Sequence, residues 1–257
     1  MSAEADDRPW WRATWPLGRR ELAQLGIAFV TVLVVFTVVG LLLTETFAPN
    51  AITDLDQDVA EALVDGRTPE RNDWADWAAF PAETVTKVVV STLLVVALLV
   101  LWRRWHEPLL IAVSLIFEAS AFIIVTHLVG RERPDVPRLL DSPVTSSYPS
   151  GHVAAATVYL ALAVVVAWNT RSKWLPVLLA ILLGGVVVGV SWARMYQGMH
   201  NLSDVVAGVI LGLVTLWICT YVISHSTRAP RCVDAATPGD AGPAEDRRRP
   251  AVHEVAA

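Results

Sequence analysis

The sequence has little charge, little lysine and little cysteine, and these shortages exclude several classes of protein. Charged residues make up 18% of the 257 positions, whereas an ordinary soluble domain has about 25%. The lysines are only Lys87 and Lys173. The cysteines are only Cys219, in an apolar run, and Cys232, in a polar segment, which provide no disulfide framework. The composition argues against an ordinary soluble fold, a disordered chain and a nucleic-acid binder.

In place of charge, the chain has long hydrophobic runs. Hydrophobic residues make up 54% of the sequence, and the mean hydropathy is +0.48. A helix needs roughly 20 apolar residues to cross the ~30 Å hydrocarbon core of a bilayer. Six runs have about that length: 22–44, 84–102, 108–129, 151–168, 174–192 and 202–223. We therefore predict an all-α protein, a bundle of six transmembrane helices whose first span is an uncleaved helix.

The basic residues between the runs predict the topology. They concentrate in the N-terminal segment, in the two short turns after spans two and four, and after span six: Arg8, Arg12, Arg19, Arg20, Arg103, Arg104, Arg171, Lys173, Arg228 and Arg231. The positive-inside rule places these segments in the cytoplasm. We therefore expect a cytoplasmic segment at 1–21, a domain within the cell membrane at 22–224 and a disordered cytoplasmic tail at 225–257.

The segment between spans one and two is acidic. Ten acidic residues and two arginines lie between Glu45 and Glu83, which predicts an extracytoplasmic loop at 45–83 that forms a solvated lid or surface. A short amphipathic helix is expected over 54–64. Trp74 and Trp77 are expected to rest at the membrane surface.

Three polar islands interrupt the apolar pattern, and the predicted topology places all of them on the extracytoplasmic side. The first covers 130–134, directly after span three. The second covers 149–152, at the start of span four. The third contains Arg194, His200 and Asp204, spaced R-x5-H-x3-D between spans five and six. The topology thus predicts that these islands converge on one site.

The islands carry the groups that bind an oxyanion. A guanidinium presents a planar fork that matches phosphate oxygens, so Arg131, Arg133 and Arg194 are candidate phosphate ligands. Ser150 and Gly151 open a predicted helix, whose first N–H groups are free to bind an anion. Gly151 is also expected to let the backbone approach that anion closely.

Two histidines add reactive groups to this predicted anion site. His200 and Asp204 are four residues apart, which is one turn of a helix, so the carboxylate is expected to accept the Nδ1 proton. Nε2 of His200 is then free to attack phosphorus as the nucleophile. His152 is the candidate general acid that protonates the leaving group.

The three islands resemble the motifs of the type 2 phosphatidic acid phosphatase (PAP2) superfamily, the lipid phosphate phosphatases. The family motifs K-x6-R-P, P-S-G-H and S-R-x5-H-x3-D correspond here to 126–134, 149–152 and 193–204. The resemblance covers roughly residues 84–223 and implies a six-span bundle with an acid phosphatase-like helical core. It also implies hydrolysis of phosphate esters or diphosphates through a phosphohistidine at His200, with no metal and no cofactor.

Two positions depart from the family pattern, and both belong to the parts of the motifs that the resemblance assigns to phosphate binding. Thr126 occupies the motif-one lysine position and is kept as a candidate phosphate-binding position, with Arg131 and His127 as candidate substitutes for the missing cation. Ala193 stands where the family usually has serine. Because the nucleophile and the acid are retained, we expect a changed affinity or substrate range rather than loss of activity.

The resemblance predicts a membrane phosphatase whose substrate is a lipid phosphate or diphosphate. Polyprenyl diphosphate is the favoured substrate, followed by phosphatidic acid and phosphatidylglycerol phosphate. Two alternatives stay open: a lipid-linked phosphotransferase that uses the same histidine, and a non-catalytic protein for lipid-phosphate binding or transport. The expected partners are the substrate and membrane lipids, while the oligomeric state stays open.

One ionisable residue falls inside a predicted span. Glu118 lies 13 residues before Arg131, a distance of about 20 Å along a helix. We therefore place it outside the phosphate site and expect it to make a polar contact within the bundle.

Overall fold

The computed structural model describes residues 15–46, 51–141 and 146–226. These residues form nine α-helices and no β-strand, which confirms the predicted all-α class. The helices are α1 (Arg19–Leu41), α2 (Ala51–Asp65), α3 (Pro69–Ala79), α4 (Thr84–Trp102), α5 (His106–Val129), α6 (Gly151–Val158), α7 (Ala161–Asn169), α8 (Trp174–Tyr196) and α9 (Leu202–Ser224). The predictions for residues 1–14 and 227–257 lie outside the described residues.

Six helical stretches are long and apolar enough to cross a membrane, which confirms the predicted number. They are α1 with the π-helical turn that follows it, α4, α5, α6 together with α7, α8, and α9. The fifth stretch continues to Tyr196, four residues beyond the predicted end, so Arg194 lies on the helix rather than in a loop. The protein is a multi-pass membrane protein.

The fourth stretch is interrupted at Tyr159 and Leu160, where the sequence predicted a continuous helix. Their N–H groups bond three residues back, to the carbonyl groups of Ala156 at 3.2 Å and Thr157 at 3.1 Å. The Tyr159 hydroxyl donates to the Pro81 carbonyl at 2.5 Å. This tertiary contact ties α6 to the turn before α4, and an apolar sequence pattern contains no signal for it.

Small residues bring α6 and α9 into close contact. A Cβ atom at Gly208 would lie 2.6 Å from the Ser150 carbonyl oxygen, and one at Gly212 would lie 2.5 Å from Cβ of Thr157. Only glycine leaves room for this approach. The contact holds residues 149–152 against the start of α9, so two of the three polar islands meet at one end of the bundle, called here the motif end.

The acidic loop is folded onto the bundle, and most of its described residues are exposed, as expected for a solvated surface. It forms α2 and α3, and the predicted helix at 54–64 extends over Ala51–Asp65. Arg67, between the two helices, donates to the Tyr196 carbonyl at 2.7 Å and to the Pro137 carbonyl at 2.6 Å. Asp56 is buried because its charge is neutralised by the buried Arg131. Trp74 and Trp77 are exposed.

Candidate active site

A cavity of about 420 Å³ opens at the motif end and is called here the site cavity. It lies between the start of α4, the start of α6 and the end of α8. Five of the predicted site residues line it: Arg133, Gly151, His152, Arg194 and His200. The other four are buried outside its lining: Thr126, Arg131, Ser150 and Asp204. Within the described ranges, no group of three or more His, Cys, Asp or Glu side chains is placed to hold a metal ion.

His200 lies in the turn between α8 and α9. Gly198, with φ of +72°, forms this turn, because the left-handed conformation favours glycine. The Nδ1 atom of His200 is 2.7 Å from the Ser147 carbonyl oxygen. A carbonyl oxygen only accepts hydrogen bonds, so in the neutral ring Nδ1 carries the proton and Nε2 carries the lone pair.

The surroundings keep His200 neutral. Burial, together with the guanidinium groups of Arg194 and Arg133, holds the pKa of His200 well below its ordinary value of 6.5. The hydrogen bond to Ser147 opposes this shift without reversing it. At neutral pH the imidazole therefore has an unprotonated Nε2 at the wall of a positively charged cavity.

Asp204 does not orient His200, and this part of the prediction is wrong. The helix α9 begins at Leu202, so His200 precedes it and the spacing of four residues does not stack the two side chains. Asp204 instead accepts the Asn201 N–H at 2.8 Å as part of a capping box. The Ser147 carbonyl takes the orienting position that was predicted for the carboxylate.

Arg131 forms the centre of a buried ion-pair network. Its guanidinium lies 2.5 Å from Asp204 and 2.9 Å from Asp56, and it also donates to the Ser203 hydroxyl at 2.6 Å. Burial opposes its charge, but the two carboxylates raise the pKa of Arg131 above its ordinary value. Its predicted role as a phosphate ligand does not match this position, because its donors are already engaged by carboxylates.

Asp56 completes this network from the acidic loop. Its carboxylate accepts the Ser203 backbone N–H at 2.9 Å and the Ser203 hydroxyl at 2.5 Å, so it also caps the first turn of α9. The sequence pattern gave no signal for this role, because 147 residues separate Asp56 from Ser203.

Arg133 and Arg194 line the cavity, and each donates to a neutral group in the described part of the chain. Arg133 donates to the carbonyl groups of Met199 and Ser146, and burial lowers its pKa, with repulsion from Arg138 adding to the effect. Arg194 donates to Oε1 of Gln197 at 3.0 Å. In the part of the chain that the structure describes, no carboxylate oxygen lies within 4.0 Å of Arg194.

Gln197 is itself held by the acidic loop. Its amide nitrogen donates to Oδ1 of Asp76 at 3.0 Å, which turns its amide oxygen toward Arg194. Asp76 lies on α3, which packs along α8. The second arginine of the cavity is therefore positioned by a chain of two hydrogen bonds that begins in the acidic loop.

The start of α6 contributes backbone donors, although fewer than predicted. The Ser150 N–H already donates to the Asp204 carbonyl at 3.0 Å. The first N–H that bonds within α6 belongs to Ala154, so those of Gly151 and His152 stay available at the cavity wall. A Cβ at Gly151 would lie 2.8 Å from the Phe122 ring. Glycine is therefore required here for packing, and the predicted approach of the backbone to an anion stays a prediction.

Three ionisable residues that line the cavity were not predicted as site residues: Glu83, Lys87 and Asp141. Glu83 precedes α4 and places Oε1 3.7 Å from Nε2 of His152. Lys87, one turn later, lines the same cavity. Two ionisable residues four positions apart at the start of an apolar run are the signal that could have indicated Glu83 and Lys87.

The remaining predicted residues lie outside the cavity. Thr126 is buried, and its hydroxyl has no hydrogen-bond partner within the described residues. His127 is exposed, with Nδ1 2.7 Å from the Ile123 carbonyl oxygen. Glu118 is fully buried, and neither of its carboxylate oxygens has a hydrogen-bond partner among residues 15–46, 51–141 and 146–226. The polar contact predicted for Glu118 is therefore not observed.

The fold and the cavity define a helical membrane protein with a histidine and two arginines at one end of its bundle. Residues 107–228 match the model of the PAP2 superfamily. The crystal structure of the first transmembrane PAP2 type phosphatidylglycerolphosphate phosphatase from Bacillus subtilis has a TM-score of 0.64. It is 19% identical, and the match covers 79% of this chain and 96% of that one. This likeness supports the fold.

Other proteins are similar in sequence, among them the following two. Phosphatidylglycerophosphatase B of Bacillus subtilis is 26% identical over 193 residues, which cover 69% of this chain and 88% of the relative. Decaprenylphosphoryl-5-phosphoribose phosphatase of Mycobacterium tuberculosis is 31% identical over 113 residues, which cover 43% of this chain and 58% of the relative. The match to the PAP2 superfamily model confirms the resemblance of the motifs, and phosphatase is the enzyme class that these findings support.

Proposed function

We propose that the protein is a membrane lipid phosphatase that removes phosphate through a phosphohistidine at His200. The observation that carries this proposal is the hydrogen bond from His200 Nδ1 to the Ser147 carbonyl. It leaves the Nε2 lone pair unprotonated in a cavity that Arg133 and Arg194 make positive. A neutral nucleophile beside cations suits an anionic phosphate group.

The proposed reaction has two steps. Nε2 of His200 attacks phosphorus, forming an N–P bond while the bond between phosphorus and the lipid oxygen breaks. His152 donates a proton to the departing oxygen. Water then attacks the phosphohistidine, the N–P bond breaks, and His152 accepts the proton of the water. The products are the dephosphorylated lipid and inorganic phosphate.

The transferring phosphoryl group is stabilised mainly by fixed positive charge. The guanidinium groups of Arg133 and Arg194 are placed to bind its oxygens, and the N–H groups of Gly151 and His152 add the positive end of α6. Glu83, 3.7 Å from His152, is placed to stabilise the protonated form of that imidazole.

A phosphate monoester on a lipid head group is the proposed substrate class. The names of the two sequence relatives, a phosphatidylglycerophosphatase and a phosphatase of a decaprenyl-linked phosphoribose, support this choice. Polyprenyl diphosphate, the favoured substrate in the sequence analysis, stays a prediction.

We also propose that the site cavity faces the extracytoplasmic side of the cell membrane. Arg103, Arg104, Arg171 and Lys173 lie in the turns at the opposite end of the bundle, which supports a cytoplasmic location for that end. In intact cells, with Cys219 and Cys232 replaced, a membrane-impermeant maleimide should label Asp73→Cys and not Ser172→Cys. The reverse labelling would invert the proposed topology.

The activity is tested with purified protein in detergent. Phosphate release is measured with EDTA present from phosphatidylglycerol phosphate, phosphatidic acid and polyprenyl diphosphate. We expect release from at least one phosphate monoester, its loss in His200→Ala and its retention in His127→Ala, a matched histidine outside the cavity. A folded protein that releases phosphate from none of these lipids, or a His200→Ala variant with wild-type turnover, would contradict the proposal.

A further inference from the structure

We propose that Lys87 is a third phosphate-binding cation of the site and contacts the phosphate oxygens of the lipid head group. This inference rests on the proposed function for the identity of its ligand. Its structural basis is that α4, which carries none of the three motifs, contributes Lys87 to the cavity lining together with Arg133, Arg194 and both histidines.

The start of α4 directs two charged residues to the cavity. The Lys87 N–H donates to the Glu83 carbonyl at 2.8 Å, the regular helical bond that places positions four apart on one face. Glu83 on that face lies 3.7 Å from His152, and Lys87 lies within electrostatic range of the same imidazole. Lys87 thus belongs to the group of charges that surrounds the proposed acid.

Lys87 is not engaged by a carboxylate in the described part of the chain. Within residues 15–46, 51–141 and 146–226, no carboxylate oxygen lies within 4.0 Å of its ammonium nitrogen. It differs in this respect from Arg131, which two carboxylates neutralise. The buried Glu118 carboxylate lies within electrostatic range of Lys87, and Glu83 and Asp141 line the same cavity, but none of them forms an ion pair with it within 4.0 Å. With two guanidinium groups beside it in the lining, Lys87 is placed to bind an anionic ligand.

The other candidates for a third cation do not reach the cavity. Thr126, at the motif-one lysine position, carries no charge and is buried away from the lining. Arg131 is held by Asp56 and Asp204. His127 is exposed outside the cavity. Lys87 therefore restores from a different helix the positive charge that the first motif lacks.

The first test measures phosphate binding without turnover. The chain has two lysines, so acetylation by an N-hydroxysuccinimide ester can be followed at Lys87 and at the exposed Lys173 by peptide mass spectrometry. In wild-type protein and in His200→Ala, we expect inorganic phosphate to slow acetylation of Lys87 and to leave Lys173 unchanged. Equal labelling of Lys87 with and without saturating phosphate would overturn the inference.

The second test uses charge-conserving and charge-removing variants. We expect Lys87→Met to lower kcat/KM by about tenfold or more, chiefly through KM, because one charge-assisted phosphate contact is lost. Lys87→Arg should stay within about threefold of wild type, since the cation is kept. Lys173→Met is the matched control and should be unchanged.

The two tests separate this inference from the proposed function. Wild-type kcat/KM in Lys87→Met would overturn the inference and leave the phosphatase intact. A protein that hydrolyses none of the lipids but shows phosphate protection of Lys87 would contradict the proposed function and support the anion site.

Discussion

Arg131 and Arg194 are both buried, exposed by 6% and 4%, yet their surroundings are opposite. Arg131 is held between two carboxylates, so its charge is cancelled within the protein. Arg194 has only a neutral amide as its described hydrogen-bond partner. Since a buried charge is stable only when it is compensated, the difference separates a guanidinium that holds the fold from one placed to receive an anionic ligand.

The largest expected effect is on stability, at the compensated arginine. Arg131→Met leaves the buried carboxylates of Asp56 and Asp204 without their cation, and we expect a loss of about 3–5 kcal/mol in the free energy of unfolding. Denaturation in detergent measures this loss. Arg71→Met, an exposed arginine of the same loop, should change stability by less than about 0.5 kcal/mol. Equal stability of the two variants would show that Arg131 does not hold the fold and would remove its distinction from Arg194.

The uncompensated arginine should show a large effect on activity. Arg194→Gln removes a phosphate donor and leaves no carboxylate unpaired, so we expect kcat/KM to fall by about 100–1000-fold. The midpoint of thermal unfolding should stay within a few degrees of wild type. An Arg194→Gln variant that unfolds as readily as Arg131→Met would show that Arg194 is structural as well.

The smallest expected effect is on the pH dependence. Because the pKa of His200 lies well below 6.5, its nucleophilic form persists as the pH falls, and the acid limb of kcat/KM should lie below pH 6.5. Arg194→Gln removes a positive neighbour, so the pKa of His200 rises and the limb should move to higher pH. A wild-type limb at or above pH 6.5 would contradict the environment described for His200.

The spans and the convergence of the motifs could be predicted because both depend on local pattern. Apolar runs fix helix length. Residues 130–134 and 149–152 share one connection, and two spans separate it from the segment around 194–204, so all three islands lie at one end of the bundle. The role of Asp204 could not be predicted, because the spacing from His200 was read as helical. The helix starts at Leu202, and this start depends on its capping box.

The contributions of Asp56, Glu83 and Lys87 were assigned only from the tertiary structure, although the spacing of Glu83 and Lys87 at the start of an apolar run could have indicated those two. These residues lie in segments without a motif, and their partners are distant in the chain, as with Asp56 and Ser203. From sequence alone, a carboxylate in an acidic loop is expected to be a solvated surface group, because its buried partner is not known. Long-range pairing of charges therefore determined which predictions for the polar residues were wrong, whereas the hydrophobic pattern determined the fold.

The bond between Asp56 and Ser203 also fixes an order of events during synthesis. A chain that grows by 5–20 residues per second adds the 147 residues between them in about 7–30 s. Throughout that interval, Asp56 cannot form either of its hydrogen bonds with Ser203. The loop that supports the site can therefore reach its final packing only after Ser203, at the start of α9, has been synthesised.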